Sequence, residues 1–221
     1  VSSSPYHHGN LRDALVDAAV EVVREGGPEA LSLRELARRV GVSHAAAYRH
    51  FADREALVDV VAERALAALV ATVHRHLDGL ADTDPVTLAR RRVREIGVGY
   101  VEFALVESGL FRLLFTAYPD PPEGKAAGSA EVGGDDPYGM LNAALDDLVE
   151  VGYLDPGVRV GADVTCWSAV HGFAVLNVEG PLRSLPTSER EAALAGLLLG
   201  IDRGLGVGGD WPVLDGPVAL G

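Results

Sequence analysis

Leu31-Ser32-Leu33-Arg34-Glu35-Leu36-Ala37-Arg38-Arg39-Val40-Gly41-Val42-Ser43-His44-Ala45-Ala46-Ala47-Tyr48-Arg49-His50-Phe51 reads as two short helices joined by a tight turn. Ser32 and Glu35 have the spacing of a capping box, in which the hydroxyl takes an orphan amide and the carboxylate reaches back to the cap amide. Leu33, Leu36, Ala37 and Val40 fall on one face at helical spacing, and Arg34, Arg38 and Arg39 fall off it. Gly41 is expected to end the first helix in the left-handed conformation that glycine adopts cheaply. Val42 plugs the turn, and Ser43 is placed to cap the next helix. Ala45, Ala46 and Ala47 carry no bulk, so this helix can press closely against another surface. Tyr48 and Phe51 are its large apolar anchors. Such a pair of helices is the build of a helix-turn-helix. It equally fits a capped helix pair in an ordinary all-helical domain, so spacing alone leaves both readings open.

Charge adds a constraint. Residues 1–54 hold seven arginines and seven acids, so the formal net charge of −13 resides in residues 55–221. An acidic molecule is repelled by DNA, so any contact with a duplex must be focused at one end. Arg34, Arg38, Arg39, Arg49 and Arg54 cluster around the helix pair, while most of the nearby acids lie upstream of it.

The rest of the chain has helical periodicity almost throughout, so the expected fold class is all-α. Residues 10–26 form a first helix with Leu11, Leu15, Ala18, Ala19, Val22 and Val23 on one stripe, stopped by Gly26-Gly27-Pro28. Asp53 caps a long helix to about Leu77. Further helices are expected over 86–106, Leu110–Thr116 and Pro137–Gly152. Another runs over 157–180 and holds Trp167 and His171, and a last one, capped by Ser188, runs from Glu189 to Leu205. Residues 117–136, rich in Pro, Gly and acids, read as a loop. These elements divide into a helix-turn-helix domain over 1–54, a helical domain over 55–205 and a flexible tail over 206–221. The last helix is apolar on more than one side, through Ala192, Ala193, Leu194, Leu197, Leu198, Leu199 and Ile201. Either it is buried in its own domain or one side packs on a partner.

Composition narrows the function classes. Hydrophobic residues make up 48% of 221, enough for a sizeable core. A single cysteine excludes an intramolecular disulfide. No signal-peptide pattern and no membrane-length apolar run is evident, so a soluble cytoplasmic protein without membrane contact is expected. Catalytic constellations are lacking: Cys166 lies five before His171, not one helical turn, and no acid is placed to orient that histidine. No phosphate-binding glycine loop follows a strand. His74 and His76 point to different faces of a helix, so no metal is expected there, and His7-His8 would bind one only adventitiously. Neither an enzymatic role nor a cofactor is expected. A helical protein-interaction module or a small helical enzyme is the alternative.

Two sets of residues carry a resemblance. Tyr6-His7-His8-Gly9-Asn10-Leu11-Arg12 through the Tyr48-Arg49-His50-Phe51 block to Arg54-Glu55-Ala56-Leu57 resembles the DNA-binding domain of the tetracycline-repressor (TetR) family. Trp167 with His171-Gly172 resembles the Trp-His-Gly signature of one C-terminal subgroup of that family. The resemblance implies a homodimeric, ligand-released transcriptional repressor bound to double-stranded palindromic DNA, with an unidentified small-molecule effector. It places Ser43, His44, Ala45 and Ala46 on base edges, with His44 as hydrogen-bonding reader and the alanines near thymine methyl groups. Tyr48, His50 and Arg54 would hold phosphates, Arg34 and Arg49 either phosphate or base. Tyr100, Phe103, Phe111, Phe115, Trp167, His171 and Asn177 are candidates for the effector pocket. The resemblance also implies a four-helix dimer interface from the last two helices of each subunit, with Phe173, Leu194, Leu197, Leu198 and Ile201 as its candidate residues.

Overall fold

The computed structural model describes residues 11–82, 84–117, 136–206 and 219–220. Its regular structure is helical, with ten α-helices and one 3-10 turn among the described residues. The only bridge of strand type among them is an isolated pairing of Leu154 with Gly206. The all-α expectation is met. The loop expected over 117–136, apart from its two end residues, lies outside the described residues, as do His7-His8 and most of the tail over 206–221.

The chain forms two compact units. The first contains residues 1–66 and 107–119. It holds α1 (Leu11–Gly26), the 3-10 turn Pro28–Ala30, α2 (Leu33–Val40), α3 (His44–Tyr48), the start of α4 (Arg54–Leu77) and α6 (Ser108–Ala117). Leu15, Val16, Ala19, Val22 and Val23 of α1 are buried, as are Leu33, Leu36 and Ala37 of α2. Leu57, Val61, Ala62 and Ala65 of α4 and Leu110, Phe111, Leu113 and Leu114 of α6 are buried too. The return of α6 to this unit was not legible in the sequence. Gly109 makes it possible, since a Cβ there would run into the carbonyl oxygen of Val23 on α1. Arg24 completes the seam, with Nε and Nη2 donating to the Glu107 carboxylate at 2.8 and 2.7 Å.

The second unit contains residues 67–106 and 120–221. It is organised on α5 (Pro85–Val106), which packs on α7 (Pro137–Glu150), α9 (Ala162–Val178) and α10 (Thr187–Leu205). Ile96, Val98, Tyr100, Val101, Phe103 and Ala104 of α5 are buried there. The helix expected over 157–180 is two helices, α8 (Pro156–Arg159) and α9. Gly161 between them has φ +86°, the left-handed conformation that breaks an α-helix. Nor does Ser188 cap the last helix: Thr187 begins it and Pro186 stands at the cap, with no side-chain hydrogen bond. No helix among the described residues is long and apolar enough to cross a membrane.

Candidate functional site

The helix-turn-helix is held by local chemistry. The Ser32 hydroxyl accepts from the Glu35 amide at 3.3 Å. The reciprocal half of the expected capping box is missing, because the Glu35 carboxylate takes Arg38 and Arg39 instead, at 2.6 and 2.9 Å. Charge-assisted bonds to guanidinium outcompete a neutral amide. Those two guanidinium groups, Arg38 first, hold the Glu35 carboxyl down at about 2. Gly41 ends α2 at φ +76°. Ser43 caps α3, its Oγ accepting from the Ala46 amide at 3.2 Å.

The surface of α3 sorts the expected residues. Ser43, His44, Ala45, Tyr48, Arg49 and His50 are exposed and Ala46 is half-buried. Tyr48 is not an anchor; its side chain stands 55% exposed, and Ala47 with Phe51 takes the buried positions. The arginines divide by partner. Arg38 and Arg39 are tied to Glu35, and Arg39 also to Glu25 at 2.6 Å. Arg54, expected on phosphate, donates Nε to the Leu31 carbonyl at 3.1 Å and Nη2 to the Pro28 carbonyl at 2.7 Å. It staples α4 to the turn before α2, and that contact orients it toward the chain itself. Arg34 and Arg49 are exposed and, among the described residues, tied to no carboxylate.

A cavity of about 220 Å³ lies in the second unit. Its wall is Arg90, Val93, Arg94, Ile96, Gly97 and Tyr100 of α5, with Pro137, Leu141 and Leu148 of α7. Cys166, Trp167, Val170 and His171 come from α9, and Ala195, Gly196, Leu198, Leu199, Ile201, Asp202 and Leu205 from α10. Of the effector candidates, Tyr100, Trp167 and His171 line it. Their rings stand mutually 6.0 to 6.3 Å apart, and the Tyr100 hydroxyl lies 3.0 Å from His171 Nδ1. The other four do not line it. Phe103 is core, 1% exposed. Phe111 and Phe115 pack on each other with tilted rings, centroids 5.0 Å apart, on α6 in the other unit. Asn177 binds the Phe173 carbonyl and accepts from Arg190 Nε, which ties α9 to the start of α10.

Arg90 and Asp202 are cavity residues that sequence reasoning missed. Arg90 Nε and Nη2 reach the two Asp202 oxygens at 2.9 and 2.6 Å, and the two side chains are 2% and 12% exposed. The guanidinium lies 4.8 Å from the Tyr153 ring centre, and the Tyr153 hydroxyl donates to the Asp202 carbonyl at 2.8 Å. A signal was present: Arg90 falls in register with Val93, Gly97 and Tyr100, and Asp202 with Leu194 and Leu198. Opposite charges in the apolar stripes of two helices mark a buried pair.

Burial sets the protonation states around the cavity. It pushes the Tyr100 hydroxyl far above its ordinary range and the Cys166 thiol up to about 11, so neither ionises at neutral pH. It pushes His171 down, favouring neutral imidazole. Below about 6.5, the ordinary imidazole value, the unfolded chain therefore binds a proton that the folded chain resists. Stability linked to His171 is full above that pH and is lost as pH falls through the lower folded value. Thermal unfolding should show a decline on acidification below pH 6.5 that is shallower in His171→Gln. Parallel profiles for the two proteins would contradict it.

The expected dimer residues need correction. Phe173, Leu194 and Leu198 are 9%, 0% and 6% exposed, so they pack inside their own chain. Leu197 and Ile201 are half-buried, the latter on the cavity wall. The outward face is different: Val164 and Leu176 of α9 are 59% and 43% exposed. Ala192, Ala193, Gly196, Gly200 and Gly204 of α10 are exposed as well.

Comparison with known proteins gives a consistent pattern. Residues 15–61 match the model described as bacterial regulatory proteins, tetR family, and residues 93–199 match a tetracyclin repressor-like C-terminal domain. The tetracycline repressor protein class A from transposon 1721 of Escherichia coli is 38% identical over 72 residues, covering 33% of this chain and 32% of that protein. The nicotine-responsive transcriptional repressor HdnoR of Paenarthrobacter nicotinovorans is 37% identical over 71 residues, covering 32% and 37%. The matches thus span about a third of these relatives. A protein of unknown function from Rhodococcus sp. RHA1 superposes at TM-score 0.65 with 30% identity, covering 92% of this chain and 100% of that one. The regulator PfmR of Thermus thermophilus superposes at 0.58 with 23% identity, covering 94% and 100%.

Proposed function

The chain belongs to the TetR family of bacterial regulatory proteins, and we propose that it is a dimeric, DNA-binding transcriptional repressor released from its operator by a small molecule. The observation that carries this is the surface of α3. Ser43, His44, Ala45, Tyr48, Arg49 and His50 form an exposed row beside an exposed Arg34, while the other arginines of the motif are engaged within the protein. His44 reads a base edge, Ala45 and Ala46 touch thymine methyls, and Tyr48, His50, Arg34 and Arg49 hold the backbone. With so few polar readers, groove shape and half-site spacing carry much of the specificity.

Two copies join through the outward faces of α9 and α10. Val164 and Leu176 supply apolar area, and the small residues of α10 let the backbones approach. Two-fold symmetry then presents two α3 helices to a palindrome. The effector occupies the cavity in the second unit; Trp167 and His171 on its wall, with Gly172 next in the chain, are consistent with the Trp-His-Gly subgroup. Names of relatives support small-molecule control, one being a tetracycline repressor and another nicotine-responsive.

Coupling runs through α4, whose residues are shared by the two units. At its far end His76 sits between Glu95 and Glu102 of α5, at 3.3 and 2.7 Å, and Arg75 reaches Glu102 at 2.8 Å. The helix that lines the cavity thus clasps the last turn of α4. A ligand that prefers one arrangement of α5 shifts the tilt of α4 and the separation of the two heads, and it shifts nothing if it binds both arrangements equally.

Substitutions on α3 separate the roles. Tyr48→Ala should weaken binding to all duplexes alike while the dimer stays intact. His44→Ala should leave nonspecific affinity and relax preference among operator variants by about 1–3 kcal/mol at one base pair. Mobility shifts with duplex from the gene's upstream region measure both. Unchanged affinity in the first case, or unchanged preference in the second, removes the corresponding role.

A further inference from the structure

We propose that the cavity between α5, α7, α9 and α10 takes an uncharged, ring-bearing molecule with one hydrogen-bonding group, docked on the Tyr100–His171 pair. This rests on the reading of that cavity as the effector site. Size is the first argument. An apolar cavity of about 150 Å³ admits benzene, so a cavity of about 220 Å³ has room for roughly one to two rings. Shape is the second. Tyr100, Trp167 and His171 stand mutually 6.0 to 6.3 Å apart, and Tyr138 backs Trp167 at 5.4 Å in an edge-on arrangement. A flat apolar ligand matches such a cluster of rings.

Charge is the third argument. The ionised groups on the wall are Arg90, Arg94 and Asp202. Arg90 and Asp202 are closed on each other by two hydrogen bonds, and Arg94 faces Glu95 on its own helix at 3.6 Å. A carboxylate or ammonium entering would lose its water and meet charges that are already balanced. Beside the Trp167 indole N–H and the Cys166 thiol, the Tyr100 hydroxyl and the His171 imidazole are the uncharged polar groups that face each other on the wall. They lie 3.0 Å apart among apolar walls. Burial keeps the phenol protonated and favours the neutral imidazole, and each group in that form can both donate and accept. A hydroxyl or carbonyl on the ligand suits that pair; a formal charge does not.

Three matched probes test this: naphthalene, 2-naphthol and 2-naphthoate. Trp211→Phe leaves Trp167 as the one tryptophan, because the chain has two, so quenching reports directly from the cavity wall. At neutral pH 2-naphthol should bind about tenfold more tightly than either of the others, the worth of one hydrogen bond to the buried Tyr100 hydroxyl. Tyr100→Phe should bring it to the naphthalene level and leave naphthalene unchanged. His171→Leu is a second variant that should likewise remove the advantage of 2-naphthol over naphthalene. Equal or tighter binding of 2-naphthoate, no advantage of 2-naphthol over naphthalene, or no binding of any probe overturns the proposal. Operator affinity is measured separately with 2-naphthol bound. If it does not change, the effector reading falls while the ligand class stands.

Discussion

Asp202→Ala should lower the stability of the folded chain by about 3–5 kcal/mol, because it strips a buried guanidinium of its carboxylate. Arg90 and Asp202 meet bidentately at 2.9 and 2.6 Å with 2% and 12% of their side chains exposed. Surface ion pairs are worth far less, since water screens them and their long side chains lose entropy. Arg24 with Glu21, at 40% and 55% exposure, is such a pair, and breaking it at Glu21, which leaves the Arg24 bonds to Glu107, should cost little. The seam at Arg90 joins α5 to α10, and the Tyr153 hydroxyl is bonded to the Asp202 carbonyl. Replacing both partners, as Arg90→Met with Asp202→Leu, should recover most of the loss, because apolar groups of similar volume need no counter-charge. Urea unfolding of Asp202→Ala and of the double variant measures this. A single substitution within about 0.5 kcal/mol of the parent would place the pair among the surface bridges.

Arg34→Ala combined with Arg49→Ala should weaken duplex binding on the order of a hundredfold at physiological salt. The reason is positional. These arginines are exposed beside α3 and are not tied to carboxylates among the described residues, so they can displace counterions from phosphates. The slope of log affinity against log salt should become shallower by about one for each arginine removed from each head. Arg38→Ala is the control. Its guanidinium is paired with Glu35, so its loss should change that slope much less. Equal effects of Arg34 and Arg38 would mean that the internal pairs open on DNA and that arginine partnering in the free protein is no guide to the interface.

How far the sequence could be read follows from what each feature depends on. Ser32, Gly41 and Ser43 were legible because caps and left-handed ends are set by residues within a turn or two. The burial of Phe51 followed from periodicity, but Tyr48 did not, because a large apolar residue near a helix end is read as an anchor whether or not a neighbour covers it. The break at Gly161 was missed for the opposite reason. A glycine inside a helical pattern is tolerated often enough that only its φ reveals the stop. The placement of α6 with α1 depended on contact between residues some eighty positions apart, which no local pattern records. In the candidate site, Tyr100, Trp167 and His171 were found as polar-tipped aromatics at helical spacing. Phe103, Phe111 and Phe115 share that spacing and pack elsewhere. Periodicity assigns a face, but it does not say whether that face meets a cavity or another side chain. The resemblance placed Leu194 and Leu198 at an interface, whereas their own chain buries them, and the apolar pattern of α10 left open which of its sides faces outward.

The central claim is that two copies, joined through α9 and α10, hold two α3 helices at one fixed separation on a duplex. Sedimentation velocity of the protein with a labelled duplex from its own upstream region, from low ionic strength upward, addresses it most directly. The account predicts a dimer in the free state, two chains on each operator half-site pair, and steep loss of the complex with salt. A monomer that carries no labelled duplex at any ionic strength would contradict it.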